Sequence, residues 1–390
     1  MKRLISLILI VSFAASSNTY EASAAIKAGS TCKTKGETKV VASSKFTCTK
    51  TGKKLVWVLK ISKPNPTPSN SPKTEEPSPT FPTSLANLKE YFEGIPYSAW
   101  SDVQKKLELN PLPKTSVSIT YGSNTKARYS EDFTKEKVFL GSRVMSSFPQ
   151  PSEVRFYEFN KLDVNWGKEE ASKYVSPFKL GQSFSNQAEL LCSGEDCDGA
   201  VTNYASGVGL VLVGVSTPIN RYGDISRFKG QNDLHEYVHA VQGIIFAGKQ
   251  TSPPPTLLPC WYSEGQPQAV SILTSSSSIK DYLNVRRGWM KDNRWMLPDM
   301  TSKSIETFLA DNMKTPCPQS TNSLNYTVGY IALEALISVG GVDSTFELLN
   351  KVADGKTFKE AFEMQYQMSW EKAAPILADV ISRAFIEAKK

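Results

Sequence analysis

Between Lys63 and Thr83 the chain places seven prolines among 21 residues, mixed with serine and threonine. Proline has no N–H to offer a helix or a sheet and holds φ near one value, so this run cannot help pack a core. It favours extended polyproline conformation and is read as a semi-rigid spacer of up to about 65 Å. No single fold can form across it. A short N-terminal part, residues 1–62, and a long C-terminal part, residues 84–390, must each find their own means of stability.

The short part begins with an address. Met1 to Ala24 has Lys2 and Arg3, an apolar stretch from Leu4 to Ala15 and the small-residue ending Ala22-Ser23-Ala24, the pattern of a cleavable secretory signal. The stretch is too short to span a bilayer, and no later run reaches about 20 apolar residues, so no membrane span is expected. A secreted, extracellular protein is the expectation. Export would put all six cysteines in an oxidising compartment, where an even number in local groups reads as disulfides. The expected pairs are Cys32 with Cys48, Cys192 with Cys197 and Cys260 with Cys317, although six cysteines allow 15 arrangements.

Charge separates the two parts as clearly as proline does. Residues 25–62 carry nine lysines against Glu37, and the first 24 residues add one positive charge, so the total of +7 leaves residues 63–390 at −2. Nothing in the large part recommends nucleic-acid binding. The small part has strand-like runs at Lys39–Ala42 and Leu55–Ile61, and a piece of this size would rely on its disulfide. Its pattern, G-x-x-C, then F-x-C, then G-K-K-L-V-W-V, resembles short cysteine-paired modules of secreted actinobacterial proteins. That resemblance implies attachment to an anionic cell-wall polymer; a solubilising lysine-rich appendage is the other reading.

Residues 84–390 are long enough for one large domain or two packed lobes, and their pattern is mixed α+β. Ser84–Glu93 is predicted helical, and Val117–Tyr121 and Val154–Phe159 are predicted strands. The strongest strand candidate is Gly207–Val215, G-V-G-L-V-L-V-G-V. Beyond it the chain turns mostly helical, with helices expected over Ser320–Val339, Asp343–Ala353 and Thr357–Ala388. The acidic loop Cys192–Gly199 could offer Glu195, Asp196 and Asp198 to calcium, but it lacks EF-hand spacing and reads better as a disulfide-closed surface loop.

The only two histidines of the chain stand four residues apart in N-D-L-H-E-Y-V-H-A-V-Q, Asn232–Gln242. Four residues is just over one helical turn, so on a helix His235 and His239 share a face and can reach one metal ion together. Leu234, Val238, Val241 and Ile245 form an apolar stripe beside them, and Asn232 or Asp233 is the expected cap. This is H-E-x-x-H, a zinc-hydrolase signature in which Glu236 is the general base. A catalytic zinc usually takes three protein ligands, so with no third histidine the remaining ligand must be a carboxylate or a thiolate. Glu264, in L-P-C-W-Y-S-E-G, is the candidate.

H-E-Y-V-H-A-V-Q followed by P-C-W-Y-S-E-G resembles the gluzincin zinc metallopeptidases, especially their peptidase MA-like branch. The resemblance implies Zn2+ held by His235, His239 and Glu264, with Glu236 as base. It implies a zincin-like fold: a mixed β-sheet lobe packed on the active-site helix, and a C-terminal helical lobe closing the cleft. N-Y-T-V-G-Y, Asn325–Tyr330, resembles the family's Y-x-x-G segment, which makes Tyr326 the candidate oxyanion donor. Two departures stand out. Gln266 and Pro267 follow E-G where the family has an apolar and a small residue, so the third-ligand helix is expected to begin near Ser263. Gln268 replaces an acid that in some relatives supports a histidine, and is expected to orient an imidazole as a neutral amide.

The reading is a secreted zinc metallopeptidase acting on a peptide or protein substrate. The family's aminopeptidases carry G-x-M-E-N before the zinc helix, and Gly207–Gly223 contains no glutamate; an endopeptidase is therefore expected. A zinc amidase on peptidoglycan stem peptides, and a non-catalytic wall-attached binding protein, are the alternatives.

Overall fold

In the computed structural model, which describes residues 30–41, 44–51, 54–59, 79–179, 183–217, 230–291, 299–314 and 322–390, the chain divides into two units, Met1–Glu76 and Pro77–Lys390. The expected signal, most of the spacer and Cys317 lie outside the described residues.

The first unit is an antiparallel sheet of β1 (Thr38–Val41), β2 (Ser44–Thr51) and β3 (Lys54–Leu59), in that order. Its core is very small. Cys48 faces Trp57 across the β2–β3 pair, both are buried, and the Cys32–Cys48 disulfide closes over them. The central strand β2 goes beyond the sequence expectation, because a module with so little interior needs few large apolar side chains to announce a strand.

The second unit is α+β with a mixed sheet. Where a helix over Ser84–Glu93 was expected, two 3-10 turns stand at Leu85–Asn87 and Phe92–Gly94. The Asn87 side chain accepts from the N–H groups of both Thr83 and Ser84, a local bond that competes with α-helix formation. The helix itself, α1 (Ile95–Leu109), starts afterwards with Pro96 in its first turn, where a missing N–H costs nothing.

Four strands follow: β4 (Ser116–Tyr121), β5 (Glu153–Phe159), β6 (Ala200–Ala205) and β7 (Val208–Gly214). Their spatial order is β4-β5-β7-β6, with β4, β5 and β7 parallel and β6 an antiparallel edge strand. Helices α2 (Glu131–Val144), α3 (Val164–Ser172) and α4 (Gln187–Leu191) lie between them in sequence. Alternation along the strands separates two apolar layers: Val154, Phe156, Val211 and Val213 face the main core, whereas Tyr157, Phe159, Leu210 and Leu212 face a smaller core that includes Phe184 and Ala188. A strand buried on both faces reads as an unbroken apolar run, which is why β7 was legible in the sequence.

The remainder is helical among the described residues: α5 (Gln231–Phe246), α6 (Pro254–Leu257), α7 (Cys260–Ser275), α8 (Ile279–Lys291), α9 (Ser302–Asn312), α10 (Asn322–Ala353), α11 (Phe358–Tyr366) and α12 (Trp370–Ala388). The break expected before Asp343 is a kink within α10 at Gly341, whose φ of 74° suits glycine. Helix α7 is buried along nearly its whole length, with Trp261, Tyr262, Ile272 and Leu273 at 0% exposure. None of the described helices is long and apolar enough to cross a membrane.

Candidate metal centre

Helix α5 carries the histidines, and the sheet fixes where it lies. Leu234, Tyr237, Val238 and Val241 are wholly buried in the main core. The expected caps do not cap it. Gly230 is the N-cap, and Asp233 is buried instead, accepting from Arg128 at 2.7 Å and from Thr134 at 2.8 Å. Arg128 also donates to Glu158 at 2.8 Å, so a single guanidinium joins α5 to the end of β5.

The third-ligand helix departs from expectation more sharply. Helix α7 begins at Cys260 with Pro259 as N-cap, not near Ser263, and Pro267 sits inside it. Ser263 does not cap; its N–H is already a helical donor to Pro259 O at 2.9 Å. Its carbonyl, left without an α-helical donor by Pro267, accepts from the Gln242 side-chain amide on α5 at 3.0 Å. The proline therefore interrupts hydrogen bonding without ending the helix.

Close backbone contact brings the last element in. A Cβ on Gly265 would lie 2.4 Å from the Gly329 carbonyl carbon, and one on Gly329 would lie 2.1 Å from Trp261 O. Helices α7 and α10 thus cross where both residues lack side chains. The glycines of E-G and of Y-x-x-G are each other's neighbours, and their meeting sets Tyr326 beside Glu264. The Tyr326 ring also lies 5.6 Å from that of His235.

Three side chains converge. His235 Nε2 and His239 Nε2 are 3.1 Å apart, and Glu264 Oε2 lies 3.4 Å from the first and 3.2 Å from the second. Ligand atoms about 2.0–2.1 Å from a tetrahedral zinc lie about 3.3 Å from one another, so these separations match one face of such a site. His235, His239 and Glu264 form a group that could hold a metal ion. The His239 and Glu264 side chains keep 16% of their surface exposed, against 6% for His235, so the group opens on one side. That side is a cavity of about 340 Å³ lined by Glu236, Tyr326, Phe178, Phe184, Tyr204 and Pro254 among others. A larger cavity, about 630 Å³ and bordered by Leu257 and Lys356, contains none of the candidate site residues.

Electrostatics hold the group together. Burial alone would lower the His239 pKa, but the Glu264 carboxylate outweighs it and pushes the ring up to about 9. Burial likewise works against ionised Glu264, and the two imidazoles overcome it, holding the carboxyl well below its usual range. The Glu264 charge, followed by burial and the Glu236 charge, raises Tyr326 well above 10, so its hydroxyl stays protonated and can donate.

Two residues not foreseen from the sequence complete the site. Thr202 on β6 places its hydroxyl 2.6 Å from the Glu236 carboxylate. Only the alternation of A-V-T-N-Y-A, Ala200–Ala205, pointed to it: Ala200 and Tyr204, two residues to either side, pack toward the main core with α5. Gln242 meets His239, with 2.9 Å between Oε1 and Nδ1. Gln268, expected in that role, makes no side-chain bond to either imidazole among the described residues.

The remaining expectations also find places. Cys192 and Cys197 are disulfide-bonded, and Cys260 is as well, its expected partner Cys317 lying outside the described residues. The calcium reading of the acidic loop is not supported. Asp196 accepts from the backbone of Cys197 and Thr217, and Lys161 donates to the carbonyls of Gly194 and Glu195. Compared with protein families, curated proteins and solved structures, the chain matches none.

Proposed function

We propose that this protein is a zinc metallopeptidase of zincin-like architecture that cleaves internal bonds of extracellular peptides or proteins. The observation that carries the reading is the convergence of His235, His239 and Glu264 at tetrahedral-face spacing, with Glu236 at the same cavity. Zinc bound there would act as a Lewis acid, polarising the scissile carbonyl and making water a better nucleophile at neutral pH.

The chain's own residues supply the rest. Glu236, steadied by Thr202, takes the proton of the attacking water and passes it to the leaving nitrogen. Tyr326 donates to the oxygen that gains charge as the carbonyl becomes tetrahedral. The outer edge of β6, which pairs with no other strand among the described residues, offers N–H and C=O groups along the cavity, suited to pairing with an extended peptide backbone. The lysine-rich first unit is proposed to hold the enzyme on an anionic wall polymer, consistent with secretion.

The test uses residues 25–390. Elemental mass spectrometry should find about one zinc per chain in wild type and in Glu236→Gln alike, while the substitution lowers turnover of a cleavable peptide by about 10²–10⁴-fold. A zinc-free wild type, even after incubation with the metal, would sink the reading; undiminished turnover would remove Glu236 from its role.

A further inference from the structure

Pro267 occupies a position where a helix ordinarily refuses proline. In a helix interior it removes the hydrogen bond to the carbonyl four residues earlier and costs about 3 kcal/mol when nothing compensates. Here that carbonyl belongs to Ser263, which is wholly buried, and the replacement donor is Gln242 Nε2. The same nitrogen donates to Gln266 Oε1 at 2.9 Å, Gln266 Nε2 donates to Thr345 Oγ1 at 2.9 Å, and Thr345 donates to Val342 O at 2.8 Å.

This chain of bonds has a direction. A backbone carbonyl can only accept, so in the bond between Thr345 and Val342 O the hydrogen is that of the Thr345 hydroxyl, which leaves Thr345 Oγ1 to accept from Gln266. Gln266 must then present its oxygen to Gln242. Ser263 O makes the same demand independently: it faces Gln242 and needs a donor. Both anchors turn the Gln242 amide one way, with Nε2 toward α7 and Oε1 toward His239. An acceptor facing Nδ1 requires a hydrogen there, so a neutral His239 ring carries its proton on Nδ1 and offers the Nε2 lone pair to the shared site.

We infer that Pro267 is a positioning residue for the metal centre: by leaving Ser263 O without a helical donor it orients Gln242, and through Gln242 it selects the metal-binding tautomer of His239. The inference rests on the metal reading above, and it reaches a residue that touches neither ligand nor substrate. An N–H at position 267 would give Ser263 O a donor from within its own helix and so weaken one of the two anchors on Gln242.

The experiment measures zinc affinity by chelator competition on residues 25–390 as wild type, Pro267→Ala, Gln242→Glu and the double variant. Alanine is the best helix former, so the single change at 267 should fold. It should weaken zinc about threefold to tenfold, at or below the lower end of the loss expected when a metal ligand's partner is removed. In Gln242→Glu a carboxylate still accepts from His239 but cannot donate to Ser263 O, and there Pro267→Ala should strengthen zinc binding by restoring that donor. Opposite signs in the two backgrounds are what the inference requires; equal signs, or no effect in both, overturn it.

Nitrogen-15 histidine spectra provide a second readout, simplified by there being two histidines in the chain. The His239 Nδ1–H should be protected from solvent exchange in wild type and lose protection in Pro267→Ala. Unchanged protection would also overturn the inference. If wild type binds no zinc, the metal reading fails by itself, and Nδ1–H protection in the metal-free proteins still decides whether Pro267 orients Gln242.

Discussion

The two ends of helix α5 are tied down by opposite chemistry. Near its start, Asp233 joins a buried charged cluster in which Arg128 bridges it to Glu158 and Thr134 adds a hydrogen bond. Two turns later, Gln242 joins a buried network of neutral amides and a hydroxyl running to Thr345. Both networks connect distant segments through groups removed from water. A charged cluster holds strongly but imposes a field, and a neutral amide chain holds weakly but transmits orientation. Among the described residues, none of the charged cluster's hydrogen bonds goes to His235, His239 or Glu264, whereas the Gln242 amide touches His239. An added charge beside His239 would change the electrostatics of any metal bound there, so a positioning device there is better made from dipoles.

The charged end should break hardest. Arg128→Met leaves Glu158 and Asp233 buried without a cation, and removing one partner of a buried ion pair costs about 3–5 kcal/mol. Denaturant unfolding at pH 7 should show that loss; a change below about 1 kcal/mol would mean that the cluster does not anchor α5. The pH dependence has a definite sign. Burial already raises the Glu158 pKa above 4.5 despite Arg128. A carboxyl that binds its proton more tightly when folded stabilises the fold below its unfolded pKa, and that contribution is lost as pH rises through the folded value. Without Arg128 the folded value climbs further, so the deficit of the variant should widen as pH rises above about 4.5 and shrink below it.

Less costly, and on the metal side, is Gly329→Ala. The new methyl group would meet Trp261 O at 2.1 Å and force α7 and α10 apart. Overpacking of this kind costs about 1–3 kcal/mol. A displacement near 1 Å at a reacting group can cost about a hundredfold in rate, so peptide turnover should fall far more than stability does. Equal turnover with lowered stability would show that the glycine crossing serves packing alone and does not place Tyr326.

What could be read in advance divides along the same line. The helix of His235 and His239 was legible because its face and its apolar stripe repeat within one short segment, and β7 because both of its faces are buried. Glu264 was found through its motif, and its helix was then started too late because Pro267 was judged by the local rule that a proline breaks a helix. That rule assumes that nothing else can satisfy the freed carbonyl, whereas Gln242, on another helix, does so. Arg128 and Asp233 stand 105 positions apart, and no local pattern announces a pair that only the fold brings together. Thr202 was missed because β6 is a short edge strand of mixed polarity. Partners supplied from elsewhere in the chain were the part that remained hidden.

The finest distinction lies inside the amide network, and Gln266→Met probes it. The change keeps roughly the same volume but takes away the acceptor of one Gln242 hydrogen and the donor to Thr345. A buried donor left unsatisfied costs about 1–3 kcal/mol, and the cost here should sit near the lower end because Gln242 Nε2 still donates to Ser263 O. Ser263 O, however, remains the acceptor for Gln242 Nε2 and is held in place by the helix backbone, whereas Gln266 is a side-chain amide that can itself turn over, so the Gln242 amide keeps its direction and His239 keeps its tautomer. Zinc affinity should then stay within about threefold of wild type, below the 10–100-fold typical of losing a ligand's direct partner. Unfolding and chelator competition on one preparation give both values. A small loss of stability with affinity preserved would place the orienting role on the carbonyl freed by Pro267. A tenfold loss of affinity would instead show that both anchors are needed together, and the amide chain would have to be treated as one coupled unit.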